Sequence, residues 1–165
     1  MSKRPKLKIE LTRIDYLIES IGLIGLVILV ILPVYFYHEL PIQIPKHFNL
    51  LGEVDAYGNR NIIWLLPAIG LFFYIGFTFL AKIPFAYNYP VKITEENAEK
   101  MYTLGAKTIR ILKVTIILSF TFLNYKTITI ALNHSTEIGK FYLPVFLIVI
   151  IAYLATMIYK MIKAR

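Results

Sequence analysis

The residues best equipped for chemistry in this chain crowd into one stretch, His38–Arg60, which reads HELPIQIPKHFNLLGEVDAYGNR. His47, Glu53 and Asp55 are residue types that can ligate zinc, with His38 nearby, and a histidine beside a carboxylate can act as a general base. His38-Glu39 opens like the HExxH metalloprotease motif. Pro41 breaks the helix that motif requires, and Ile42 stands where the second histidine would be. No Gly-x-Ser-x-Gly elbow or phosphate-binding glycine loop occurs. With no cysteine there is no thiol nucleophile, thiolate metal site or disulfide. Two further readings of the same side chains stay open beside the metal or hydrolytic one. In a structural reading, Pro41 and Pro45 impose extended chain, Gly52 and Gly58 supply turns, and Asn49, His47 and Asp55 satisfy backbone groups. In a recognition reading, the stretch is a shaped polar and aromatic surface for a peptide, a lipid headgroup or a partner protein.

The elements that position this stretch follow from composition. Of 165 residues, 58% are hydrophobic and 17% charged, and the mean hydropathy is +0.64. Soluble domains carry about 25% charged residues, so this is not an ordinary globular composition, and disorder, which needs low hydrophobicity and high charge, is ruled out. Uncharged runs at Ser20–Tyr37, Asn61–Ala81 and Phe141–Tyr159 are each long enough to cross a hydrocarbon core of roughly 30 Å. A fourth, Ile111–Leu132, qualifies if Lys113 sits at its inner end and Lys126 inside it. Backbone amides in lipid must pair within their own segment, which makes these spans helices. The runs lack the alternation of barrel strands. The expected fold is therefore an all-α integral membrane protein with four transmembrane helices, at about 16–37, 61–81, 111–132 and 141–160, in a single membrane domain over 1–165. The structured outer loop is 38–60, between helices 1 and 2.

Charge orients the spans. Fourteen of the 18 basic residues, among them Lys3, Arg4, Lys82, Arg110, Lys113 and Arg165, fall on one side. Lys46, Arg60, Lys126 and Lys140 fall on the other. The positive-inside rule then makes both termini cytoplasmic in a multi-pass cell-membrane protein. The net charge of +8 is thus a threading signal, and no nucleic-acid partner is expected. The first span is too long for a signal-peptide core and no small-x-small cleavage site follows it, so it reads as a retained anchor. Tyr35, Tyr37, Trp64, Phe85, Tyr87 and Tyr142 lie near span ends, where aromatic rings favour the interface. Gly22, Gly25 and the Thr115/Ser119 pair are small enough for close helix contact.

One motif in the outer loop is patterned. A proline pair (Pro41, Pro45) precedes His47-Phe48-Asn49, then Gly52, Asp55, Gly58 and the basic Arg60. This string resembles the signature of the membrane domain at the amino end of SdpI-type immunity proteins, where lysine is more usual at the position of Arg60. The stretch Asn88-Tyr89-Pro90-Val91, running into ITEENAEK, is similar to a continuation seen in some members, so that the likeness covers about residues 25–130. It implies a non-catalytic role in peptide-toxin immunity or envelope signalling. His47, Phe48, Asn49, Gly52, Glu53, Asp55, Gly58 and Arg60 would then bind an extracytoplasmic peptide or protein, and Pro41, Pro45 and Lys126 would be structural. No cofactor is expected, and the oligomeric state is not legible. The alternative is an integral membrane metal-dependent enzyme with an outer-leaflet site, for which His47 and Asp55 are the candidate ligands.

On the inner side, Thr94 is a predicted N-cap with Glu95 and Glu96 in the first turn. The cytoplasmic interfacial helix, about 94–110, is expected to run into the third span and to loosen at Gly105. Lys100, Lys107, Arg110 and Lys113 are expected to snorkel towards anionic headgroups, so membrane lipid is a partner. The resemblance implies a cytoplasmic regulator docking here. Lys126 is the one basic residue well inside a predicted span. It either snorkels outward or pairs with Asp55 or Glu53 to tie the loop onto the bundle.

Overall fold

The computed structural model describes residues 4–135 and 137–164; Lys3 and Arg165 lie outside the described residues. Four α-helices carry the fold: α1 (Arg13–Phe36), α2 (Leu65–Leu80), α3 (Ala98–Ala131) and α4 (Tyr142–Lys163). A 3-10 turn, Arg60–Trp64, leads into α2, and a shorter one spans Pro84–Ala86. Between α1 and α2 the chain forms two antiparallel strands, β1 (Gln43–Phe48) and β2 (Val54–Asn59). The all-α expectation is therefore corrected to a mostly helical fold with one small sheet. The prolines that rule out a helix over 41–45 leave the chain extended. A two-stranded ribbon is all edge, so Pro45 costs it little.

Among the described residues, three segments are long and apolar enough to cross a membrane: Arg13–Phe36, Arg60–Leu80 and Tyr142–Lys163. Much of their outer surface is apolar, as at Ile24, Phe72 and Ile148. The fourth helix differs. The expected interfacial helix and third span are one continuous helix of 34 residues, whose buried stripe mixes small, apolar and charged residues. Ala98, Tyr102, Gly105, Ala106, Arg110, Lys113, Ile117, Asn124 and Ile128 follow one another at mostly three- and four-residue steps, so they share a face. Against that face pack α1, α2, the hairpin and α4. Protein covers this helix most fully, and its buried Arg110 and Lys113 find their carboxylate partners, Asp15 and Glu19, on α1.

Of the residues expected at close contacts, Gly22, Gly25 and Ser119 make them, while the Thr115 hydroxyl donates to Ile111 O within α3. A Cβ at Gly22 would lie 3.0 Å from Val114 Cγ2, and one at Gly25 3.0 Å from Leu118 Cδ2. Thr121 Oγ1 donates to Gly25 O at 3.0 Å, across the same α1–α3 seam. Leu26, Leu29 and Ile117 form the buried centre beside it. Ser119 bonds the Tyr142 hydroxyl, joining α3 to α4. Gly105 does not loosen α3: a Cβ there would come within 2.6 Å of the Tyr89 hydroxyl, so glycine serves close packing. The helix also starts later than expected, at Ala98. Thr94 and Asn97 bond each other reciprocally, Thr94 N to Asn97 Oδ1 at 2.9 Å and Asn97 N to Thr94 Oγ1 at 3.3 Å, and this closes a turn in place of a helical cap.

The connections sort to two ends of the bundle. At one end, Ile138 N donates to Gly52 O at 3.0 Å, so the hairpin tip rests on the α3–α4 connection. At the other, Arg4 Nη1 donates to Tyr87 O at 2.5 Å, and Ile9 packs with Met101, Tyr102 and Met161. Burial pushes the Tyr87 phenol up to about 12, with Arg110 opposing, and raises that of Tyr89 as well. Both hydroxyls stay protonated and donate, to Leu80 O at 2.6 Å and to Pro84 O at 2.9 Å.

Candidate functional site: the hairpin and the cavity beneath it

The hairpin is built by its turn. Asn49 Oδ1 accepts from Leu51 N at 2.8 Å and Glu53 N at 3.1 Å, and Asn49 Nδ2 donates to Glu53 Oε2 at 2.8 Å. Gly52 takes φ +80°, a left-handed conformation that favours glycine, and a Cβ there would meet Gly139 O at 2.8 Å. Register shifts fall between Pro45 and His47 and between His47 and Phe48. Such bulges re-aim side chains. The strand root is held from below: Leu40, Ile44, Ile63 and Ile128 form a buried cluster that seats β1 on α3.

Each residue singled out from sequence now has a place. His47 Nδ1 lies 2.6 Å from Asp55 Oδ1, on side chains that are 67% and 41% exposed. With the carboxylate accepting, Nδ1 donates this bond. Two donors are fewer than the three protein ligands of a catalytic zinc site, and one of these is engaged by the other. Among the described residues no group of three or more His, Asp or Glu could hold a metal ion. Asn49, Gly52 and Glu53 shape the turn. Gly58 lets the Lys46 stem approach, where a Cβ would stand 3.0 Å from Lys46 Cδ. Arg60 Nη1 donates to Leu40 O at 3.1 Å, and its guanidinium sits 5.0 Å over the Tyr37 ring, so it locks the hairpin's base to the end of α1. Pro41 begins the extended chain and Pro45 is buried in β1. Lys126 Nζ donates to Ser135 Oγ at 2.7 Å, and neither Asp55 nor Glu53 is its partner.

Beneath the hairpin lies a cavity of about 290 Å³. His47, Phe48 and Asn49 line it from β1 and the turn, and Leu66, Leu123 and Leu143 from α2, α3 and α4. Its wall is mainly apolar, with polar groups contributed by the hairpin. That combination accepts an apolar group while fixing its polar neighbours.

A second constellation, at the opposite end, was not legible as a site. Arg110 and Lys113 do not snorkel; both are buried. Lys113 Nζ donates to Glu19 Oε2 at 2.5 Å and Thr78 Oγ1 at 2.9 Å, and lies 4.5 Å over the Tyr74 ring. Arg110 Nη1 reaches Asp15 Oδ1 at 3.3 Å, while its Nε stands 3.7 Å from Glu19 Oε1. Asp15 also closes a capping box with Thr12, whose backbone N donates to Asp15 Oδ2 at 2.9 Å. A signal was available: acids four apart on α1 (Asp15, Glu19) and bases three apart on α3 (Arg110, Lys113) each mark one helix face.

Comparison with known proteins adds family likeness without biochemistry. The pattern of a domain of unknown function (DUF1648) matches residues 24–71, the end of α1, the hairpin and the start of α2. An uncharacterized protein of Archaeoglobus fulgidus is 28% identical over 144 residues, covering 79% of this chain and 76% of that one. No solved structure matches. The chain is thus similar, over its hairpin and the helices that flank it, to a domain whose function is unknown.

Proposed function

We propose that this is a non-catalytic multi-pass membrane protein, with four spans and both ends cytoplasmic, that recognises an amphipathic peptide outside the membrane through the β-hairpin. Such a receptor would serve peptide-toxin immunity or envelope signalling of the SdpI-like type. The observation that carries the reading is the apolar cavity under the hairpin, bordered by His47 and Asn49. An apolar side chain of the peptide fills it, and the exposed His47–Asp55 pair reads the neighbouring polar group. The sorting of the connections to two ends supports the threading, because the two stretches expected outside touch each other at Gly52 and Ile138.

The test is protection of cells against membrane-active peptide toxins. Expression of the protein is expected to raise the tolerated dose. Leu143→Trp, which fills the cavity, and His47→Ala should both abolish that gain at unchanged membrane levels of the protein. Full protection by both variants would overturn the reading.

A further inference from the structure

The cluster of buried charges at the cytoplasmic end borders a second, larger cavity, of about 790 Å³. It lies between the segment before α1, the first turns of α1 and the end of α2, and Arg110 of α3 lines its inner wall. The two buried cations of the cluster are not equally provided for. Lys113 has a carboxylate, a hydroxyl and an aromatic face around its ammonium. Arg110 is 7% exposed at its side chain and makes one hydrogen bond, the 3.3 Å contact with Asp15, among the described residues. A guanidinium carries five N–H donors, so Arg110, at the cavity wall, keeps donors available to a ligand.

The charge around the cavity favours an anion. Lys8, Lys82 and Arg110 line it, against Glu10 and Glu19. Lys113 offsets Glu19 and Asp15 offsets Arg110, so the buried cluster is balanced, and Lys8 and Lys82 against Glu10 leave the lining with a positive excess. Lys8 and Lys82 are exposed and without a carboxylate partner among the described residues, so they can turn to a ligand. Leu11, Tyr16, Ala81 and Pro84 supply apolar wall. Arginine with flanking lysines is a phosphate receptor, and an apolar wall beside it suits an acyl chain.

We propose that this cavity binds the phosphate of an anionic phospholipid of the inner leaflet, seated on Arg110 and flanked by Lys82 and Lys8. The phosphate site stands on the geometry alone. Its assignment to a lipid rests on the proposed membrane insertion, which places the start of α1 and the end of α2 at headgroup level. The ligand completes the hydrogen bonding of Arg110 and thereby joins α1, α2 and α3 at one point.

The experiment is a thermal-stability titration of the full chain in neutral detergent, using dioleoyl phosphatidylglycerol, dioleoyl phosphatidylcholine or inorganic phosphate as the added probe. Phosphatidylglycerol should raise the unfolding temperature saturably, with an apparent affinity at least about tenfold above phosphatidylcholine, the effect of roughly one charge-assisted contact. Arg110→Gln should lower that affinity by a similar factor. Lys82→Gln, which leaves the buried cluster intact, should lower it severalfold even if Arg110→Gln does not fold. Glu10→Gln should tighten binding, which a merely structural role would not produce. Equal affinity for the two lipids, or phosphatidylglycerol affinity unchanged in Lys82→Gln and Glu10→Gln, would overturn the proposal. A full shift with inorganic phosphate and no gain from lipid would overturn the lipid source and keep the phosphate site. Retention of the protein in alkaline-washed membranes separates a failure here from a failure of membrane insertion.

Discussion

Lys113 is fully buried, and its stability rests on Glu19 arriving from a helix 94 residues away in sequence. Removing Glu19 leaves Lys113 buried without a carboxylate partner among the described residues, at a typical cost of about 3–5 kcal/mol. Glu19→Leu is therefore expected to lower the unfolding temperature sharply. The double variant Glu19→Leu with Lys113→Met should recover most of the loss, because apolar replacements of similar size remove both desolvation costs. Thermal unfolding in detergent checks this, and a double variant as unstable as the single would contradict it. The outward-facing His47–Asp55 pair should behave differently: Asp55→Ala is expected to change stability by no more than about 1 kcal/mol. Sequence put His47 and Asp55 in one loop, and the hairpin register, with His47 opposite Ala56, brings them together. It could not put Lys113 beside Glu19, since a basic residue near a span end obeys the same local pattern whether it snorkels or pairs. Only the seam between α1 and α3 decides which.

At the scale of the element, the hairpin depends on one backbone conformation. Gly52 combines φ +80° with a neighbour, Gly139 O, that a Cβ would approach to 2.8 Å. Gly52→Ala therefore meets both the left-handed penalty of roughly 1–2 kcal/mol and a backbone collision that no side-chain rotation relieves. The expected outcome is release of the tip from the α3–α4 connection, seen as faster hydrogen exchange at Asn49–Glu53 and at Ile138, with the helices unaffected. Gly76 is the control: a Cβ there meets nothing within 4 Å, so Gly76→Ala should be neutral or stabilise by up to about 1 kcal/mol through helix propensity. Turn residues, prolines and two glycines were visible in the sequence of 38–60, yet the strands were not. Val54–Asn59 alternates half-buried and exposed residues, but VDAYGN carries too few apolar side chains to show that period. The hairpin is held by burial of Ile44 on Ile128, a contact the local pattern does not contain.

The whole molecule is organised around its least apolar long helix. At 1.5 Å per residue, the 34 residues of α3 reach about 51 Å, well beyond a hydrocarbon core of roughly 30 Å. In the proposed orientation its first turns stand in the cytoplasm, packed on Phe85, Tyr89 and Ile93, and its last turns reach the hairpin. This explains why composition alone picks out α1, α2 and α4 as candidate spans and leaves α3 ambiguous: the other three present apolar outer surface, while α3 meets protein. The orientation makes a direct prediction, for which the absence of native cysteine is convenient. Leu50 is 75% exposed at the hairpin tip, and Glu95 is exposed in the turn before α3. In intact cells a membrane-impermeant maleimide should label Leu50→Cys and spare Glu95→Cys, and permeabilisation should expose the second. The reverse pattern would invert the molecule and move the phosphate cavity to the outer leaflet. Labelling of both in intact cells would mean that α2, the candidate span between the two sites, does not cross. Because the basic residues are divided fourteen to four, the first pattern is the one the positive-inside rule requires.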